Sequence, residues 1–118
     1  MVLTDEITQI KNAIIEALPV ERLYLFGSYA YGTPTEDSDY DFYVLIPVDG
    51  IKPIDAKIKA RRSLSNVIRS KDTDILADYI NRFEERSKYN TLERKIMREG
   101  VVLYERSGNC ERMAANRV

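Results

Sequence analysis

The chain has 118 residues, enough for one domain with its own core but too few for a catalytic domain joined to a separate substrate domain. Charged residues make up 31%, yet the formal net charge is only −1, so no global basic field argues for direct nucleic-acid binding. A single cysteine, Cys110, excludes an internal disulfide, and the absence of histidine leaves metal ligation and acid–base chemistry to carboxylates.

In chain order, Ile7, Ile10, Ile14 and Ala17 or Leu18 recur at helical spacing behind Asp5 and Glu6, which predicts an amphipathic helix over Thr4 to Leu18, stopped by Pro19. A first strand is expected at Arg22 to Phe26. Gly27 and Ser28 then turn the chain, and residues 32–38 are loop by composition. A second, apolar strand runs from Asp41 to Pro47. Ile54 to Ser70 reads as a helix carrying Ile58, Leu64, Val67 and Ile68, with Lys57, Lys59, Arg61, Arg62 and Arg69 on a solvated basic face. Asp74 to Asp78 is a short third strand headed by an acid. A helical stretch from about Ile80 to Lys88 follows, then Asn90 or Thr91 caps a helix over Leu92 to Arg98, where Leu92 and Ile96 share a face beside Met97. Gly100 ends it, and Val101 to Tyr104 forms the fourth strand. Strands separated by helices predict an α/β or α+β fold, a small mixed sheet flanked by helices. The polar segment 107–118 is expected to be a flexible tail behind a domain spanning 1–106. No apolar run approaches the ~18–20 residues of a membrane span and no signal pattern opens the chain, so a cytoplasmic setting without a membrane partner is expected.

The chemistry concentrates between Gly27 and Asp41. Glycine and a small serine after a buried strand let backbone N–H groups face an anion. Ten residues beyond Ser28, Asp39 and Asp41 stand at i and i+2, which in extended chain aims both carboxylates to one side. Such a pair repels itself unless a cation sits between, and hard dications such as Mg²⁺ are held by one or two carboxylates plus substrate phosphates. Asp74 heads its strand much as Asp41 does, although Asp72 and Asp78 lie close by and one of these acids could serve only to cap or solvate. Asp37, in a polar loop, reads as a turn former. Tyr24, Tyr29, Tyr31, Tyr40 and Tyr43 read mainly as packing residues, with base stacking the alternative for Tyr29 or Tyr31. Cys110 is given no catalytic role.

On these residues the chain resembles the minimal nucleotidyltransferases of the DNA polymerase β superfamily: Gly27-Ser28, ten residues, Asp39-x-Asp41, then a lone acid, Asp74, in an apolar strand. The closing run from Ile96 to Glu105 is similar to that family's C-terminal pattern, so the resemblance covers the chain from Thr4 to Glu105. It departs at Tyr31, which stands where the family often has arginine ahead of its second glycine, Gly32 here. The resemblance implies a polymerase β-like fold and Mg²⁺-dependent transfer of a nucleoside monophosphate from a triphosphate, with ATP as donor and pyrophosphate released. It implies two Mg²⁺ ions on Asp39, Asp41 and Asp74, with Asp74 on the acceptor side, and a nucleotide site of Gly27, Ser28, Tyr31 and Gly32. Because many such proteins accompany a HEPN-domain toxin, it implies an antitoxin that adds AMP to a hydroxyl of that partner in a homo- or hetero-oligomer. Two other functions fit the family: a non-catalytic antitoxin acting by complex formation, and transfer to a small molecule such as an aminoglycoside.

Overall fold

The computed structural model describes residues 5–35, 38–67 and 71–106. Thr4, Asp37, Ile68, Arg69, Ser70, Cys110 and the tail 107–118, all named above, lie outside the described residues.

Among the described residues, five helices and four strands follow one another as α1 (Asp5–Ala17), β1 (Arg22–Phe26), α2 (Ser28–Tyr31), β2 (Tyr40–Ile46), α3 (Pro53–Ser63), β3 (Thr73–Tyr79), α4 (Ile80–Arg86), α5 (Leu92–Glu99) and β4 (Val101–Glu105). A single 3₁₀ turn, Leu64–Asn66, extends α3. The strand order is β3-β2-β1-β4, with β2 and β3 parallel and the other pairs antiparallel. The expected mixed sheet is therefore present, and the parallel pair arises because α3 carries the chain back across the sheet between β2 and β3.

Both faces of the sheet are covered, which is why β1 and β2 read as continuous apolar runs rather than alternating ones. One face sends Leu23, Leu25, Tyr40, Phe42, Val44, Ile46 and Ile75 into a core with Ile7, Ile10, Ile14 and Leu18 of the N-terminal segment. Leu18, not Ala17, completes the α1 stripe. The opposite face sends Tyr24, Tyr43 and Leu45 against Phe83 of α4 and Ile96 of α5. Phe83 stacks on Tyr24 with ring centroids 5.4 Å apart and meets Tyr43 edge-on at 5.1 Å.

Two expectations about helix faces are corrected. Just past α3, Leu64 and Val67 pack into the core as expected, but on α3 itself the inward residues are Ala56 and Ala60, both fully buried, while Ile54 and Ile58 are 61% and 40% exposed. Both pairs have i, i+4 spacing, and the small pair turns inward where α3 packs against α1 and β3. On α5 only Ile96 reaches the core, leaving Leu92 and Met97 exposed. Thr91, not Asn90, caps this helix, its hydroxyl accepting from the Arg94 N–H at 3.2 Å.

Candidate active site

At the end of β1 the backbone enters Gly27 at φ 80°, ψ −161°, a conformation essentially confined to glycine. The chain then makes the single helical turn α2, in which the Gly27 carbonyl accepts from the Ala30 and Tyr31 N–H groups, both at 3.0 Å. Gly32 closes the turn in the left-handed region, its N–H donating to the Ser28 carbonyl at 3.0 Å. The Gly-Ser segment is thus a tight, glycine-dependent turn, as its residues suggest.

Asp41 is the second residue of β2. Its neighbours Tyr40 and Phe42 enter the core against α1, so strand alternation sends Asp41 to the other face with Tyr43 and Leu45. There it stands opposite Phe26 on the antiparallel side and beside Asp74 on the parallel side. Asp74 is the second residue of β3, not the first; Thr73 opens the strand. Asp39 precedes β2 and is exposed, at the end of a loop pinned by the Thr35 N–H donating to Ser38 Oγ at 2.8 Å. Burial first, then the charges of Asp74 and Asp39, push the Asp41 carboxyl up to about 6.

The acids differ sharply from Asp78 further along the same face of β3. Asp78 is buried, yet Arg86 reaches its Oδ2 at 3.1 Å, Arg82 its Oδ1 at 3.3 Å, and the Tyr79 N–H donates to it at 2.8 Å. Among the described residues, no ion pair joins Asp39, Asp41 or Asp74 to a cation. Hard-oxygen donors with uncompensated charge fit a dication in chemistry. They are not drawn into a preformed cage, since no cluster of three or more metal-ligating side chains occurs among the described residues.

Beyond Asp74 a polar cleft of about 360 Å³ is lined by Asp39, Arg61, Asp72, Thr73 and Asp74. Arg61 is exposed on the last turn of α3, as a solvated basic face requires, and there it also lines this cleft. Thr73 is buried and its hydroxyl has no hydrogen-bond partner among the described residues, an uncommon state for a buried polar atom.

The tyrosines separate by burial. Tyr29 packs on Tyr40 with centroids 4.8 Å apart, so it belongs to the wall. Tyr31 is half-buried, and the Lys95 ammonium sits 5.0 Å from its ring centroid. At an exposed site such a contact contributes only about 0.5–1 kcal/mol. Tyr43 donates its hydroxyl to Glu93 at 3.0 Å, fastening α5 to β2, and burial followed by this bond raises the phenol above its usual range.

The profile of the Polymerase beta nucleotidyltransferase family matches residues 8–109, nearly the whole chain. The protein belongs to this nucleotidyltransferase family. Its fold is similar to a chain in the crystal structure of a toxin–antitoxin with AMP-PNP, at 23% identity and a TM-score of 0.61, covering 95% of this chain and 82% of that one. A mutant form of the toxin–antitoxin MntA-HpeT is similar at 25% identity and a TM-score of 0.60, covering 97% and 82%. A candidate nucleotidyltransferase from Sulfolobus solfataricus is similar at 19% identity and a TM-score of 0.59, covering 87% and 80%. Among curated proteins no sequence matches. Among the described residues no helix is long and apolar enough to cross a membrane.

Proposed function

We propose that this protein is a cytoplasmic, Mg²⁺-dependent nucleotidyltransferase that moves AMP from ATP onto a hydroxyl of a protein acceptor, the HEPN-type toxin of a toxin–antitoxin pair. The observation that carries the reading is the arrangement of Gly27, Asp41 and Asp74: a tight glycine turn abuts a carboxylate that is itself in register with a second one. Asp39, Asp41 and Asp74 would hold Mg²⁺, which supplies charge neutralisation at the phosphates and activation of the incoming oxygen.

The remaining work falls to the chain. Amides of Gly27 and Ser28, with the Ser28 hydroxyl, donate to the outer phosphate oxygens and fix the donor's orientation. Asp74, on the cleft side of the site, receives the proton of the acceptor hydroxyl as its oxygen forms a bond to the α-phosphorus and pyrophosphate leaves. Catalysis then rests on positioning and electrostatics, the usual means for phosphate transfer. The open, polar cleft at Asp74 suits an acceptor that brings its own recognition surface, as a chain of this length requires. A protein partner is supported by the likeness to chains of toxin–antitoxin structures, one of them with AMP-PNP.

The test mixes purified protein, Mg-ATP and the product of the neighbouring reading frame, then weighs the partner by intact mass spectrometry. An added AMP mass that disappears with Asp39→Asn/Asp41→Asn supports the enzyme. Incorporation undiminished in that double variant sinks the mechanism, and a tight complex without added mass marks a binding-only antitoxin.

A further inference from the structure

A triphosphate carries several negative charges into a site that already presents three carboxylates, so its outer phosphates need a protein cation beside the backbone amides. The Gly27 to Gly32 turn contains none: its side chains are Ser28, Tyr29, Ala30 and Tyr31. Arg61 lines the cleft with Asp39, Asp72, Thr73 and Asp74, a lining that includes no residue of the turn. The cation recorded against the turn comes from α5, where Lys95 holds its ammonium over the Tyr31 ring at 5.0 Å.

The helix is not free to carry Lys95 elsewhere. Glu93 is tied to Tyr43, which shares its sheet face with Asp41, and Ile96 is fully buried. At the end of α5 a side chain added to Gly100 would come 3.2 Å from the Leu25 carbonyl, so the helix abuts β1 just ahead of the Gly-Ser turn. These contacts hold Lys95 beside the Gly27 to Gly32 turn. Among the described residues none of the ion pairs takes Lys95, although Glu99 stands one turn along the same helix.

From this geometry we infer that Lys95 is a nucleotide-binding residue: its ammonium leaves the Tyr31 ring to contact the β- and γ-phosphates of the bound triphosphate. The inference rests on the nucleotidyltransferase reading above. An exposed ring contact is weak, whereas a charge-assisted hydrogen bond to phosphate is strong, so the exchange favours the phosphate. Tyr31 serves as the resting position that keeps the lysine beside the turn.

The experiment measures affinity for Mg-ATP and for AMP, using fluorescent methylanthraniloyl forms of each, in the wild type, Lys95→Ala, Lys95→Arg and the control Lys88→Ala. Lys88 is a surface lysine paired with Glu85 and reports on the general field alone. The expected result is about tenfold weaker ATP binding in Lys95→Ala, with AMP binding and melting temperature unchanged and with recovery in Lys95→Arg. ATP affinity within twofold of wild type in Lys95→Ala overturns the inference, as does an equal loss for ATP and AMP or an equal loss in Lys88→Ala. A wild type that binds no ATP fails the nucleotidyltransferase reading itself, which separates the two failures.

Discussion

The α-carbon of Gly27 lies against the carboxylate of Asp41, so that a methyl group added at position 27 would overlap Asp41 Oδ2 and fall 3.1 Å from Cγ. The Gly27 turn and Asp41 are therefore one packed unit, joined where β1 meets β2 opposite Phe26. Gly27→Ala meets two penalties, a backbone conformation closed to alanine and a collision with the acid. The expected cost is about 1–3 kcal/mol of stability. Displacement of the carboxylate should lower transfer by about 100-fold, measured as labelled AMP incorporation beside a denaturant titration.

Asp41 also links stability to pH. Its carboxyl is raised to about 6 from 3.8, so the folded state holds its proton more tightly than the unfolded chain. Below 3.8 both states are protonated and no penalty exists. As pH rises through the window from about 4 to 6, stability falls, and above 6 the full penalty remains. A two-unit shift corresponds to roughly 3 kcal/mol, which solvent screening at this half-buried site reduces to about 1 kcal/mol. Asp41→Asn should therefore stabilise the metal-free protein by about 1 kcal/mol at pH 7.5, lose that advantage at pH 3.5 and abolish transfer. Chemical denaturation at the two pH values checks it; an unchanged midpoint at pH 7.5 contradicts the geometry.

Asp74 shares the register of Asp41 but faces the cleft. The proposed mechanism gives its carboxylate to the acceptor, so Asp74→Asn should lower the transfer rate by about 100-fold or more while changing ATP affinity less than threefold. Single-turnover kinetics together with a binding titration separate the two. A parallel loss of affinity would instead put Asp74 on the donor side.

Asp78 occupies the same face and should answer in the opposite way to Asp41. Its charge is met by Arg82, Arg86 and the Tyr79 N–H, and the residue is 4% exposed. Asp78→Ala strips partners from α4 and should destabilise the fold by about 2–4 kcal/mol, with specific activity of the remaining folded protein within twofold. Thermal unfolding and activity per folded molecule test this pair of outcomes.

How much of this was legible follows from the range of each signal. The Gly27 turn, the Asp39 and Asp41 pair and the strands carrying Asp41 and Asp74 depend on local backbone preference and period-two alternation, so residues a few positions apart reveal them. The register between Asp41 and Asp74 depends on how the α3 crossover returns the chain, which no local pattern encodes. Lys95, Arg61 and Thr73 escaped for the same reason, being ordinary residues whose meaning comes from what another element brings beside them. The inverted face of α3 has a different cause: Ala56 with Ala60 and Ile54 with Ile58 are equally good helical stripes, and close packing selects the smaller pair.

Strand β3 is an edge strand, held by β2 on one side, whereas Gly27 and Asp41 sit on the two inner strands or at their ends. Local opening starts at such margins, where fewer neighbours must be released. Peeling β3 from β2 would carry Asp74, Thr73 and the cleft away as a block and leave the contact between Gly27 and Asp41 untouched. On the proposed roles, opening at this edge would cost the molecule its capacity to receive an acceptor while its grip on the donor remained, leaving it idling with nucleotide bound.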